Sequence, residues 1–185
     1  MGIRDATPDE IAARDSLRRL VTAYSRAVDR RDFALLRSLY HDDASELHGS
    51  MFEGGADDWV AFCARALSAY EVTVHYVVNT AFGIDGDNAW GEVHKINYHR
   101  TPGPEAREIV TGSRSLDHYQ RRGGEWRFLS RAVTLDWART QAVDPSAYAD
   151  FAASSPPGSA GADDPSYRLL RLFARHDSGS EGNQR

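Results

Sequence analysis

A single cysteine, Cys63, stands among 185 residues. No internal disulfide can form, and the helix-like segment around Cys63 marks it as a small buried hydrophobe rather than a nucleophile. Hydrophobic runs are short: none approaches the ~20 apolar residues of a membrane-spanning helix, so no membrane association is expected. The opening MGIRDATPDEIAARD lacks the apolar centre of a secretory signal, and the cytoplasm is the expected location. Positive charge is not in excess. With 22 Lys and Arg against 27 Asp and Glu, the net charge of −5 repels a polyanion overall, and no nucleic-acid partner is expected. No GxxxxGK[ST], no helix-opening GxGxxG and no CxxC occurs, and none of the seven histidines forms HxxxH or HxH. Neither a cofactor nor a metal is therefore called for.

What is present suits one domain with a tail. A chain of this length holds one core of about 100–150 residues, and 41% hydrophobic with 26% charged residues is an ordinary globular composition. Thr7-Pro8-Asp9-Glu10 combines an N-cap, a proline at the first helical position and a glutamate three residues after the cap. The helix it starts carries Leu17, Leu20, Val21, Tyr24 and Val28 on one face. Asp29 ends it, where the helix dipole disfavours an anion, so it either pairs with a histidine or arginine or stands as a solvated helix-end carboxylate. Asp32 caps a second short helix burying Phe33, Leu36, Leu39 and Tyr40. His41-Asp42-Asp43 reads as a polar turn and Ser45 to Phe52 as a short strand. A third helix from Asp57 or Asp58 to about Tyr70 follows, carrying Trp59, Phe62 and Cys63.

After Tyr70 the period changes from 3.6 to 2. Four strands are expected, Glu71 to Ile84, Asn88 to Arg100, Glu108 to Gln120 and Glu125 to Arg139, joined by Asp-Gly-Asp, Thr-Pro-Gly-Pro and Arg-Arg-Gly-Gly turns. The fold class is α+β: three N-terminal helices packed on a strongly curved, mostly antiparallel sheet. The domain covers residues 1–140. Residues 141–185 form an extension with an irregular linker from Ala147 to Ala162, a short docking segment from Tyr167 to Phe173 and a disordered end from Ser178.

His75, in EVTVHYVVNTAF, is a titratable imidazole on an apolar strand. It is either hydrogen-bonded in the core or a base. Alternation puts Thr73, Val77 and Asn79 on its side. Tyr98 shares a face with Trp90, Glu92, His94 and Ile96, while Lys95, Asn97 and His99 share the other; parity alone leaves open which faces inward. Arg131 lies among Leu129, Val133 and Leu135, so it reaches a pocket or pairs with Asp29, Asp117 or Asp136.

The stretches YSRAVDRRDFALLRSLYHDDA, VHYVVN with IDGDNAWGEV, and SRSLDHYQRRGGEWRFLSRAVTLDW resemble the SnoaL-like family of the NTF2-like superfamily, over about Pro8 to Trp137. The resemblance implies a cone-shaped fold. It is nearest to the scytalone dehydratase, hexachlorocyclohexane dehydrochlorinase and bile-acid 7α-dehydratase group, in which an aspartate ending the first helix orients a histidine that removes a substrate proton. Asp29 and His75 fill those positions, with Tyr24 and Arg131 at the places that assist the leaving group. Substrate-lining residues expected beside them are Asn79, Val77, His48 and Tyr98.

The function implied is a cofactor-independent lyase or isomerase acting on a mostly apolar, cyclic or polyketide-like small molecule. The rivals are a non-catalytic binding or assembly protein of the same fold, and a hydratase or epoxide hydrolase that activates water. A curved open sheet leaves a face or edge to be covered, so a homodimer or homotrimer is expected.

Overall fold

The computed structural model describes residues 4–144, 146, 149 and 154–170. Helix α1 spans Pro8–Asp29. Thr7 and Glu10 cap it reciprocally, the Thr7 amide donating to Glu10 Oε2 (2.8 Å) and the Glu10 amide to Thr7 Oγ1 (3.3 Å). Two otherwise unpaired donors are thereby satisfied. Thr7→Ala is expected to cost about 1 kcal/mol in urea unfolding; no measurable change would show that the cap contributes nothing.

Leu17, Val21, Tyr24 and Val28 form the buried stripe of α1. Arg31 turns the chain with φ 53°, and its guanidinium donates to Val28 O (2.8 Å) and Thr73 Oγ1 (2.7 Å). Helix α2 (Phe33–Ser38) starts at Asp32, whose Oδ1 accepts from the Leu35 amide at 3.1 Å.

The strands are β1 (Tyr40–His48), β2 (Phe52–Gly55), β3 (Val72–Asp85), β4 (Asn88–Arg100), β5 (Arg107–Arg122) and β6 (Glu125–Ala142). Helix α3 (Ala56–Ala66), continued by a 3-10 turn at Leu67–Ala69, separates β2 from β3, and a short helix α4 (Pro165–Leu169) lies in the C-terminal extension. The six strands form one curved, unclosed sheet in the order β2-β1-β6-β5-β4-β3. β1 runs parallel to β6, and every other pair is antiparallel. The α+β class with helices against the sheet agrees with the expectation. At the β5–β6 turn, Gly123 and Gly124 adopt φ 59° and 85°, which side chains disfavour.

Two local readings are corrected. The polar turn expected at His41-Asp42-Asp43 is the start of β1, and Tyr40 belongs to that strand rather than to α2. A register shift between Tyr40 and Ser45 turns Asp42 and Asp43 outward together, which hides the alternation. There they pair with Arg37 and Arg122. A second shift, between Val77 and Thr80 on β3, places one extra residue opposite β4 and flips the parity after it.

The core lies between helices and sheet, around Tyr24, Tyr40, Tyr119 and Phe128, with ring centroids 5.1–5.8 Å from Phe128. β6 extends to Ala142, and the extension returns to the end of α1. Asp164 forms an ion pair with Arg30 (3.2 Å), Arg26 donates to Ser166 Oγ (3.1 Å), and the Tyr167 hydroxyl donates to Asp32 (3.2 Å). These contacts are polar. Leu169 and Leu170, expected to dock, are exposed. Phe173 and the end from Ser178 lie outside the described residues.

Candidate active site

The C-terminal end of α1 meets β3 at the residue that breaks the strand's apolar character. Asp29 uses both carboxylate oxygens on His75: Oδ2 accepts from the backbone N–H (2.9 Å) and Oδ1 from Nδ1 (2.6 Å). Because Nδ1 donates to the carboxylate, the proton-free nitrogen is Nε2. That nitrogen has no hydrogen-bond partner among the described residues. His75 lines a cavity of about 630 Å³ enclosed by α1, α3 and the inner face of the sheet. Its walls are chiefly apolar, from Val28, Met51, Phe62, Leu67, Val133 and Leu135.

A second histidine–carboxylate pair stands on the β1 side. His48 Nε2 donates to Glu46 Oε1 at 2.7 Å, and Glu46 Oε2 accepts from the Tyr40 hydroxyl at 2.6 Å. The His48 ring stacks on Trp59, centroids 4.2 Å apart, and both line the cavity. Burial, and then the Glu46 charge, push the Tyr40 phenol well above its usual range, so it stays a donor.

Other expected residues fall elsewhere. Tyr24 lines the cavity, and its phenol is pushed well up by burial first and the Glu46 charge second. Arg131 does not line it. Fully buried, it pairs with Asp117 through Nε–Oδ1 (2.8 Å) and Nη2–Oδ2 (3.0 Å). Its guanidinium lies 4.0 Å from the ring centres of both Tyr24 and Phe128. Asn79 is exposed outside the cavity because the extra residue in β3 turns it outward, and Val77 packs against the core instead of the cavity. Tyr98 lies on the opposite face of β4, since Lys95, Asn97 and His99 face inward.

Those three are the residues that alternation grouped but could not orient. Asn97 donates to Thr111 Oγ1 (3.1 Å) and Ser113 Oγ (2.9 Å). His99 stands edge-on to His75, centroids 5.3 Å apart. Burial, and then the neighbouring His75, bring its pKa down to about 4 from 6.5. His99 therefore stays neutral at physiological pH.

The shift also links stability to pH. Between 6.5 and about 4 the unfolded chain binds a proton that folded His99 refuses, so stability falls as pH falls through that window. His99→Phe is expected to flatten this slope in urea midpoints taken at its two ends; an unchanged slope would assign the acid sensitivity to other groups.

Among the described residues, no three or more His, Cys, Asp or Glu side chains are grouped to hold a metal ion, and no helix is long and apolar enough to cross a membrane. The Cys63 thiol, pushed up to about 12 by burial and then by the Glu46 charge, is not poised as a nucleophile.

The family model described as SnoaL-like domain matches residues 9–132. No curated protein matches the chain. Among solved structures, LinA is 21% identical with a TM-score of 0.67, covering 72% of this chain and 92% of its own. The hexachlorocyclohexane dehydrochlorinase LinA-type3 from Novosphingobium barchaimii LL02 is 20% identical with a TM-score of 0.61, covering 74% and 94%. A predicted scytalone dehydratase from Novosphingobium aromaticivorans DSM 12444 is 17% identical with a TM-score of 0.65, covering 72% and 91%. At these identities the likeness is one of fold.

Proposed function

We propose that this chain, which belongs to the SnoaL-like family, is a cofactor-independent lyase of the dehydratase and dehydrochlorinase kind. The observation that carries the reading is the Asp29–His75 pair, closed by two hydrogen bonds at the edge of an apolar cavity of about 630 Å³. His75 Nε2 is the general base. Asp29 fixes the tautomer and stabilises the imidazolium formed on proton uptake. The His75 imidazolium returns its proton to a departing hydroxyl, His48, held by Glu46, lines the cavity beside the substrate, and Tyr24 contacts the leaving group.

Arg131 is a positioning residue. It acts through Tyr24, against whose ring it is stacked, while its charge is spent on Asp117. The apolar walls favour a mostly apolar, cyclic or polyketide-like substrate. Exposed Tyr76, Trp90, Ile96, Leu116 and Trp137 support a second role for the outer face, as the contact of a homodimer or homotrimer.

A panel of chlorinated cyclohexanes and cyclic β-hydroxy ketones, followed by chloride release and enone absorbance, tests the reading. Elimination is expected on at least one member and is expected to be lost in His75→Ala. Elimination that survives that substitution would remove His75 from the mechanism.

A further inference from the structure

Cations in this chain are almost all arginine: 21 arginines accompany one lysine, Lys95. That lysine is on the inner face of β4, only 7% exposed, and lines the cavity of His75. The strand register pairs His75 with Asn97 and Val77 with Lys95, which makes Lys95 the diagonal neighbour of His75 across two adjacent strands. Its amine has no hydrogen bond and no ion pair among the described residues. Nζ lies 4.8 Å from the centre of the Tyr24 ring, itself part of the cavity wall.

A structural cation would be served by arginine, as at Asp117, Asp136 and Asp43. What lysine does and arginine does not is lose its proton and attack an electrophile. An unpaired amine buried in an apolar cavity beside a base is placed for that.

We propose that Lys95 is a covalent catalytic residue, whose amine condenses with an aldehyde or ketone of the substrate to give an iminium beside His75. The inference rests on the lyase reading of the cavity and names its substrate class: carbonyl compounds bearing a hydrogen on the adjacent carbon. Nζ adds to the carbonyl carbon, and the resulting carbinolamine takes up one proton and loses water to leave the iminium. His75 Nε2 takes the adjacent proton, and the C–H electron pair forms the enamine as the C=N pair moves onto nitrogen. The enamine pair then expels a β-hydroxyl, which leaves as water with a proton from an imidazolium. Hydrolysis of the conjugated iminium frees the unsaturated carbonyl product and Lys95. No oxidant or reductant is consumed.

The surroundings keep part of the amine uncharged near neutrality. Burial, and then the Arg131 charge, bring its pKa down to about 7, against the pull of Asp117, Glu46 and Asp29.

The test uses hydrocinnamaldehyde, which has an apolar ring and exchangeable hydrogens beside its carbonyl, on the intact 185-residue chain. With sodium cyanoborohydride, one phenylpropyl group is expected on Lys95, mapped by peptide mass spectrometry against the α-amine of Met1, the other amine of the chain. The capture rate is expected to rise through about pH 7 rather than near 10.5. In D₂O without the reductant, deuterium is expected at the carbon beside the carbonyl.

Lys95→Arg keeps the charge and is expected to lose both capture and exchange. Lys95→Met, which keeps the apolar stem, is expected to lose both while unfolding at or above the wild-type temperature. His75→Ala is expected to keep capture at Lys95 but slow exchange ~100-fold. Label confined to Met1 overturns the proposal, as does exchange that survives both Lys95 variants while depending on His75; the latter leaves the proton-abstraction reading standing. Capture at Lys95 with no His75-dependent exchange upholds the amine and overturns that reading instead.

Discussion

Asp117→Ala is expected to remove about 3–5 kcal/mol of folding stability, because it strands a fully buried guanidinium without its counter-ion. Asp117 is itself buried, and accepts from the Tyr119 hydroxyl (2.6 Å) and Ser115 Oγ (3.2 Å) as well as from Arg131. Burial alone would raise its pKa, but the Arg131 charge and hydrogen bonds outweigh that and hold it below the usual range. The ion pair is fully formed at neutral pH. In a domain of this size the loss corresponds to roughly 10 °C in Tm.

Arg131→Met alone leaves Asp117 as the uncompensated charge and is expected to cost a similar amount. Asp117→Leu with Arg131→Met replaces both charges by apolar groups and is expected to cost clearly less than the sum of the singles. Denaturation of the single and double variants measures this. A cost below about 1 kcal/mol for Asp117→Ala would mean that water reaches the guanidinium.

The second large effect is catalytic. With any substrate that the wild type turns over, His75→Ala is expected to lower kcat/KM by ~10²–10⁴-fold. Asp29→Asn is expected to lower it by about 10³–10⁴-fold, because an amide can donate to Nδ1 and leave the proton on Nε2, the wrong tautomer for a base. The double variant should be little worse than His75→Ala, since the two residues act as one unit. Additive losses, or an Asp29→Asn variant within threefold of wild type, would break the coupling between helix end and imidazole.

Most of the fold was legible because its signals are local. The Thr7 capping box, the Asp32 cap and the change of period after Tyr70 each leave a mark in a few consecutive residues. The start of β1 was not legible, because a bulge lets Asp42 and Asp43 face outward side by side and imitate a turn. The bulge between Val77 and Thr80 likewise carried Asn79 out of the cavity. His75 and Asp29 stood out by position, one an imidazole among apolar residues and the other an anion at the wrong helix pole, but it was the resemblance to the SnoaL-like family that paired them.

The inward face of β4 was undetermined because both faces of that strand carry charged and aromatic residues. Lys95 did leave one signal, its singularity among 21 arginines, which a combined count of basic residues conceals. Arg131 could not be resolved between pocket and ion pair, since the choice of Asp117 depends on cross-strand register that the chain order does not print.

The contact between Asp29 and the His75 amide has a consequence beyond chemistry. β3 ends the sheet, so amides on its outer side face no neighbouring strand. Such a row invites a foreign strand to add, and the sheet can grow from molecule to molecule. One of these amides is already occupied by the Asp29 carboxylate, and Arg31 reaches over the same edge to Thr73. The end of α1 thus covers part of the margin at which such strand addition would begin, and the carboxylate bonded to the His75 ring also shields that edge.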